Sequence, residues 1–198
     1  MNEQEKNRHE LSDIELINGY LSGRNVDFEI LYDRYKNRLY SYLNNMLPGQ
    51  HALVDDIFQQ TWMKVIRSLR SYKCKNRFQA WLLRIAHNLA IDHFRKSSRQ
   101  SEVLVIDDDD GIDLPDTVNL PWSGMDRDEL SRAIGKALEM INPQLREVFL
   151  LRRDGVSFKE IAKIQKCSVN TALGRMQYAL KNLQKLLIEW RETPHGKF

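Results

Sequence analysis

The sequence predicts an all-α protein made of two small helical domains joined by an acidic linker, and three observations carry that reading. Apolar residues recur at intervals of three and four along most of the 198-residue chain, and outside residues 99–125 no stretch alternates for long as a strand would. Charge is unevenly placed. Residues 1–98 carry 15 Lys and Arg against 11 Asp and Glu, residues 99–125 carry 1 against 7, and residues 126–198 carry 14 against 9. Finally, SFKEIAKIQKCSVNTALGRMQYALKNL (residues 157–183) holds two helix starts within a dozen residues, each opened by a serine.

In chain order, Ser12 with Glu15 reads as a capping box and Gly23 as a stop, which frames a short first helix. Phe28, Leu31, Tyr32, Tyr35, Leu39, Leu43 and Met46 form the stripe of a second helix, which LPGQ ends. A third stripe runs through Val54, Ile57, Phe58, Trp62, Val65, Ile66 and Leu69, and a fourth through Phe78, Trp81, Leu82, Ile85 and Leu89. Four such helices can bury one another, so residues 1–98 are expected to form one domain. Residues 99–125, with four consecutive Asp, two Pro and two Gly, lack a helical period and read as a linker. Leu130, Ile134, Leu138 and Ile141 then mark a fifth helix, and Asn142 with Pro143 opens a sixth that ends near Asp154 and Gly155. Residues 126–198 are therefore the second domain.

Within that domain, Ser157 with Glu160 is a second capping box, for a helix of residues 158–165, and Ser168 caps the next. A short helix, a tight turn and a second helix with a polar start make a helix-turn-helix, whose second helix can enter a DNA major groove. On a helical wheel Val169, Ala172, Leu173, Met176, Leu180, Leu183, Leu187 and Trp190 share a core face. The opposite side presents Asn170, Thr171, Gly174, Arg175, Gln177, Tyr178 and Lys181, with Ser168 at its head, groups able to read base edges or hold phosphates. Gly174 implies close approach by a phosphate or by a neighbouring helix.

Other classes find less support. No apolar run nears the ~20 residues of a membrane span, and the polar opening MNEQEKNRHE argues against a secretory signal, so a cytoplasmic protein is expected. Cys74 and Cys167 lie far apart and read as plain thiols. His87 and His93 are too far apart around a helix to ligate one metal, and Asp107 to Asp110 lack the calcium-loop pattern. With no phosphate cradle or nucleophile motif, the expectation is a non-enzyme without metal, cofactor or small-molecule substrate.

The segment INPQLREVFLLRRDGVSFKEIAKIQKCSVNTALGRMQYALKNL resembles the sigma-4 domain of bacterial RNA polymerase sigma factors of the extracytoplasmic-function (ECF) group, in the sigma-70 family. DDIFQQTWMKVI followed by FQAWLLRIAHNLAIDHFRK resembles their sigma-2 helical bundle, and the two blocks stand in the family's order. The resemblance implies a factor that brings core polymerase to specific promoters and assists melting of the minus-10 element. Its implied partners are the polymerase β′ clamp and β flap, promoter DNA and, as in many members, an anti-sigma factor.

By resemblance, the third helix docks on the β′ coiled coil, where Asp56 and Gln59 match the family's motif; Gln60, Met63 and Arg67 lie on the same side of the helix, away from its apolar stripe. The loop SYKCKNRF and the fourth helix hold the minus-10 strand through Tyr72, Lys73, Lys75, Arg77, Phe78, Arg84, Asn88, Arg95 and Lys96, with Asp92 orienting a neighbouring cation. Stacking of unpaired bases on the interleaved aromatics fits that role. Trp81, also a family position, lies on the apolar stripe and reads as core. The minus-35 element falls to the polar side of the last helix. Leu173, Gly174 and Tyr178 depart from residues common in relatives, and His87 replaces a position often basic, so the preferred promoter sequence does not carry over. The linker's negative charge can repel DNA, contact the basic domains or serve as a spacer. An autonomous helix-turn-helix repressor or activator is the alternative reading; it needs the last helix but no docking face around Gln59.

Overall fold

The computed structural model describes residues 10–73, 77–97 and 127–192, with the side chains of 95–97, 127–129 and 191–192 outside that description. The chain divides into two compact units, Met1–Ser101 and Glu102–Phe198. Among the described residues regular structure is wholly helical: α1 (Asp13–Leu21), α2 (Asn25–Met46), α3 (His51–Ser68), a 3-10 turn (Leu69–Ser71), α4 (Phe78–Ser97), α5 (Arg127–Met140), α6 (Pro143–Arg153), α7 (Phe158–Gln165) and α8 (Val169–Glu192).

In the first unit α1 packs on α2, α2 on α3 and α4, and α3 on α4. The expected capping box opens α1: Ser12 N donates to Glu15 Oε2 at 2.8 Å, and Glu15 N donates to Ser12 Oγ at 3.4 Å. Asp13 then ties α1 to α2, because Arg34 Nη1 and Tyr35 OH donate to its two oxygens at 2.7 and 2.6 Å. Burial, with Asp13 as acceptor, pushes the Tyr35 phenol well above its ordinary range, so it stays a donor. Where the chain reverses between α1 and α2, Asp27 lies buried over Gly19, and a Cβ at Gly19 would stand 1.7 Å from Asp27 Oδ2. Only a residue without a side chain allows this approach. Leu16, Leu31, Leu39, Leu43, Val54 and Leu82 fill the centre. Phe28, Tyr32, Phe58 and Trp62 interlock beside them, with Tyr32 and Trp62 centroids 4.8 Å apart.

In the second unit α8 packs against α5, α6 and α7. Asn142 Oδ1 accepts from Gln144 N at 2.9 Å with Pro143 in the first turn, as its sequence indicates. The adjacent Arg146 is buried, and its guanidinium donates to the carbonyl oxygens of Leu138, Glu139 and Ile141, so it closes the end of α5. Burial lowers the Arg146 pKa and the Glu139 charge opposes that shift. Lys136 lies 5.0 Å over the Trp190 ring and ties the other end of α8 to α5.

Three local expectations need correction. Ile66 is 42% exposed, because it sits about 135° from the centre of the Val54, Ile57, Thr61 and Val65 ladder. Val169 is also 42% exposed: it heads α8, where no helix covers it, and the buried face runs instead through Ala172, Ala179, Leu183 and Leu187. At α7, Ser157 makes no side-chain cap bond to the backbone; its Oγ meets Glu160 Oε2 at 3.2 Å, so the box is incomplete.

Candidate functional site

Three surfaces collect the residues singled out from the sequence. The first is the outer side of α3. Val54, Ile57, Trp62 and Val65 turn inward, which leaves Asp56, Gln59, Gln60, Met63, Arg67 and Arg70 exposed. Gln60 Nε2 donates to Asp56 Oδ2 at 2.8 Å. Met63, 52% exposed, has Ile66 three residues on, so the face has an apolar centre and polar flanks. Ile66 is the member that helical periodicity alone assigned to the core. Beside it, Asp56, Ile57, Gln60 and Lys64 of α3 and Leu89, Asp92 and His93 of α4 line a cleft of about 240 Å³.

The second surface is the loop before α4 and the outer side of that helix. Lys73, Arg77, Arg84 and Asn88 are exposed. Lys75 and the side chains of Arg95 and Lys96 fall outside the described residues. Phe78 does not belong to this surface. It is 1% exposed, 5.1 Å from the Tyr35 ring, and forms the wall behind Tyr72 and Trp81, so no base can stack on it. Tyr72 and Trp81, both half-buried and 4.9 Å apart, are the aromatic faces that remain. Trp81 is thus less enclosed than its place on the apolar stripe suggested. His87 is buried, which removes it from any phosphate.

The third surface is the helix-turn-helix of α7 and α8. The turn is short because Lys166 adopts φ 53°, ψ 43°, and both its N–H and that of Cys167 return to the Ala162 carbonyl. That left-handed conformation costs a residue bearing a Cβ about 1–2 kcal/mol. Ser168 then caps α8, its Oγ accepting from Thr171 N at 2.9 Å. Asn170, Tyr178 and Lys181 are exposed, while Thr171, Gly174, Arg175 and Gln177 are half-buried along the same side. Burial pushes the Cys167 thiol up, opposed by the Arg175 charge, so it stays protonated near neutrality.

Residues 31–100 match the family model for Sigma-70 region 2, and residues 131–183 match that for Sigma-70, region 4. The ECF RNA polymerase sigma factor SigX of Bacillus subtilis is 31% identical over 167 residues, covering 83% of this chain and 86% of the relative. The ECF RNA polymerase sigma-E factor of Haemophilus influenzae is 28% identical over 174 residues, covering 84% and 90%. Among solved structures, the sigma factor RpoE of Bartonella quintana, in complex with the anti-sigma factor NepR, aligns with a TM-score of 0.61 at 25% identity, over 82% of this chain and 97% of that one. With both sigma-70 regions in order and a curated relative matched along most of its length, the chain belongs to the ECF sigma factors of RNA polymerase.

Proposed function

We propose that this sigma factor binds core polymerase through the outer face of α3, reads a minus-35 element with α8, and opens the minus-10 element with α4 and the loop before it. Residues 1–98 act as the sigma-2 domain and 126–198 as the sigma-4 domain, with 99–125 as the acidic connection. The carrying observation is the α3 face, where Met63 and Ile66 stand exposed among Asp56, Gln59, Gln60 and Arg67. An exposed apolar centre ringed by polar groups suits a protein partner, and a free-standing repressor has no use for it. Tyr72 and Trp81 take the base-stacking role, flanked by Lys73 and Arg77. Two weak DNA contacts become productive once the polymerase fixes their separation, an effective-concentration effect.

The factor catalyses no reaction of its own and acts in the cytoplasm. An anti-sigma factor is a fitting antagonist, since the Bartonella quintana relative is solved with one. Run-off transcription with purified core on a random-promoter library tests the reading: enrichment of a two-part promoter is expected. Specific transcription that needs no added chain, or tight specific duplex binding by the free chain, would return the repressor reading.

A further inference from the structure

We propose that Lys166 is a DNA-backbone contact of this factor, its ammonium holding a phosphate of the duplex beside the minus-35 element while α8 enters the groove. The inference rests on the reading of α8 as the minus-35 helix and extends it to a residue outside that helix.

The first ground is conformational. Among the described residues the other left-handed positions, at Gly23, Gly49 and Gly155, are glycines; Lys166 alone carries a side chain there. The turn requires the conformation, because Lys166 N–H and Cys167 N–H share the Ala162 carbonyl, and a glycine would supply it without strain. A side chain kept where the backbone disfavours one points to work done by its far end.

A second ground is electrostatic. Lys166 is exposed, and among the described residues its ammonium has no ion-pair or hydrogen-bond partner. Lys159 and Lys163 are exposed one turn apart on α7, and Lys166 follows them at its C-cap. The acid within that run, Glu160, faces Ser157. Clustered exposed lysines of this kind suit the phosphates of a DNA strand, and lysine serves phosphate as a point charge.

Position supplies the third ground. Two residues after Lys166, Ser168 caps α8, and Asn170 follows on the exposed side. Whatever the head of α8 meets, Lys166 flanks it; with α8 in a major groove, the flanking surface is the strand backbone.

The test uses holoenzyme assembled from core polymerase and the full chain carrying Lys166→Gly, Lys166→Asn or Lys166→Arg, on promoter duplexes with an intact or scrambled minus-35 element, over a salt series. Lys166→Gly is expected to unfold at the same or a higher temperature than the parent. It should nevertheless bind the intact promoter about five- to tenfold more weakly near 0.1 M salt, with a log–log salt slope shallower by about 0.9. Lys166→Asn, which tolerates the left-handed backbone, should lose affinity likewise, and Lys166→Arg should keep the slope. Unchanged affinity and slope in the Gly and Asn variants would overturn the proposal. So would a loss traced to weaker core assembly at unchanged slope, which would hand the lysine to a polymerase acid. If the parent holoenzyme ignores scrambling of the minus-35 element, the reading of α8 fails instead, and that failure is visible without any Lys166 variant.

Discussion

Arg175 on α8 donates from Nη1 to Gln165 Oε1 on α7 at 3.1 Å, and the same Gln165 amide donates from Nε2 to the Gln144 carbonyl and to Oε2 of buried Glu147. The relay spans the helix-turn-helix and the helix before it. It holds the guanidinium at the rim of the exposed side of α8 rather than free in solvent. Arg175→Ala should therefore lower transcription from a minus-35-dependent promoter by about tenfold, the scale of one good base contact. Gln165→Ala should produce a smaller loss at that promoter together with a stability cost of about 1 kcal/mol. Run-off yields and thermal unfolding check both; full activity in Arg175→Ala would remove the residue from the reading surface.

Phe78 makes a sharper distinction between scaffold and surface. It is enclosed by Tyr35, Tyr72 and Trp81. Phe78→Ala should destabilise the first unit by about 3–5 kcal/mol, as large-to-small changes in cores do. Phe78→Leu should retain most promoter opening, whereas Tyr72→Ala should depress opening with little change in unfolding temperature. Permanganate footprinting of the minus-10 region reports opening, and equal effects of the Leu and Ala changes on it would contradict the placement.

At the α1–α2 reversal, Gly19→Ala forces a methyl group onto Asp27, whose carboxylate also accepts from Arg24 Nε at 2.8 Å. The substitution should cost about 1–3 kcal/mol as overpacking. Adding Asp27→Ala clears the space, so the double variant should be more stable than the sum of the single changes predicts. Strict additivity in denaturant midpoints would show that the contact is not tight.

These three sites indicate how far a linear reading carries. Among the described residues periodicity sufficed for eight helices, since each needs only local spacing, and side-chain caps marked the starts of α1, α6 and α8. What failed was the facing of single residues whose burial is decided by a distant element. Tyr35 on α2 covers Phe78, which the sequence places both at the head of the α4 apolar stripe and beside the cations of the preceding loop. Val169 and Leu187 share a wheel position, yet only Leu187 lies where other helices reach. At Lys166 the sequence marks the break but not its left-handed backbone, because such turns are sought through glycine. The exposed sides of α3 and α8 were easier to find, being long enough for their polar sides to stand out.

The capping box of α1 brings a pH dependence. Acceptance from the Ser12 side chain, then from its backbone N–H, holds the Glu15 carboxyl below its usual range. A carboxylate depressed on folding contributes stability above its unfolded pKa and loses it as pH falls through the folded value. The stability gap between the parent and Ser12→Ala should accordingly be widest near neutrality and shrink in acid. It should not vanish, because Glu15 N still donates to Ser12 Oγ when the carboxyl is protonated. Urea midpoints at pH 7 and pH 3 measure it, and a gap constant across that range would refute the linkage.

The α3 face yields the prediction on which the proposed assembly depends. Met63 and Ile66 are only partly covered within the first unit, so truncating them removes less folding stability than a core change would. A partner helix laid over them would bury both and enclose the Gln59 amide. Interface centres of that kind carry most of the binding free energy, and loss of one anchor costs about 1–2 kcal/mol. Gln59→Ala with Met63→Ala should thus reduce core affinity by about tenfold or more, with the unfolding temperature unchanged. Ile66→Ala should act in the same direction, and Ile66→Lys more strongly, by placing a charge in the covered patch. Titration of labelled chain with core polymerase separates the outcomes. Unaltered affinity across all three variants would mean that the polymerase grips the chain elsewhere, since no rearrangement confined to α3 could leave a covered lysine without cost.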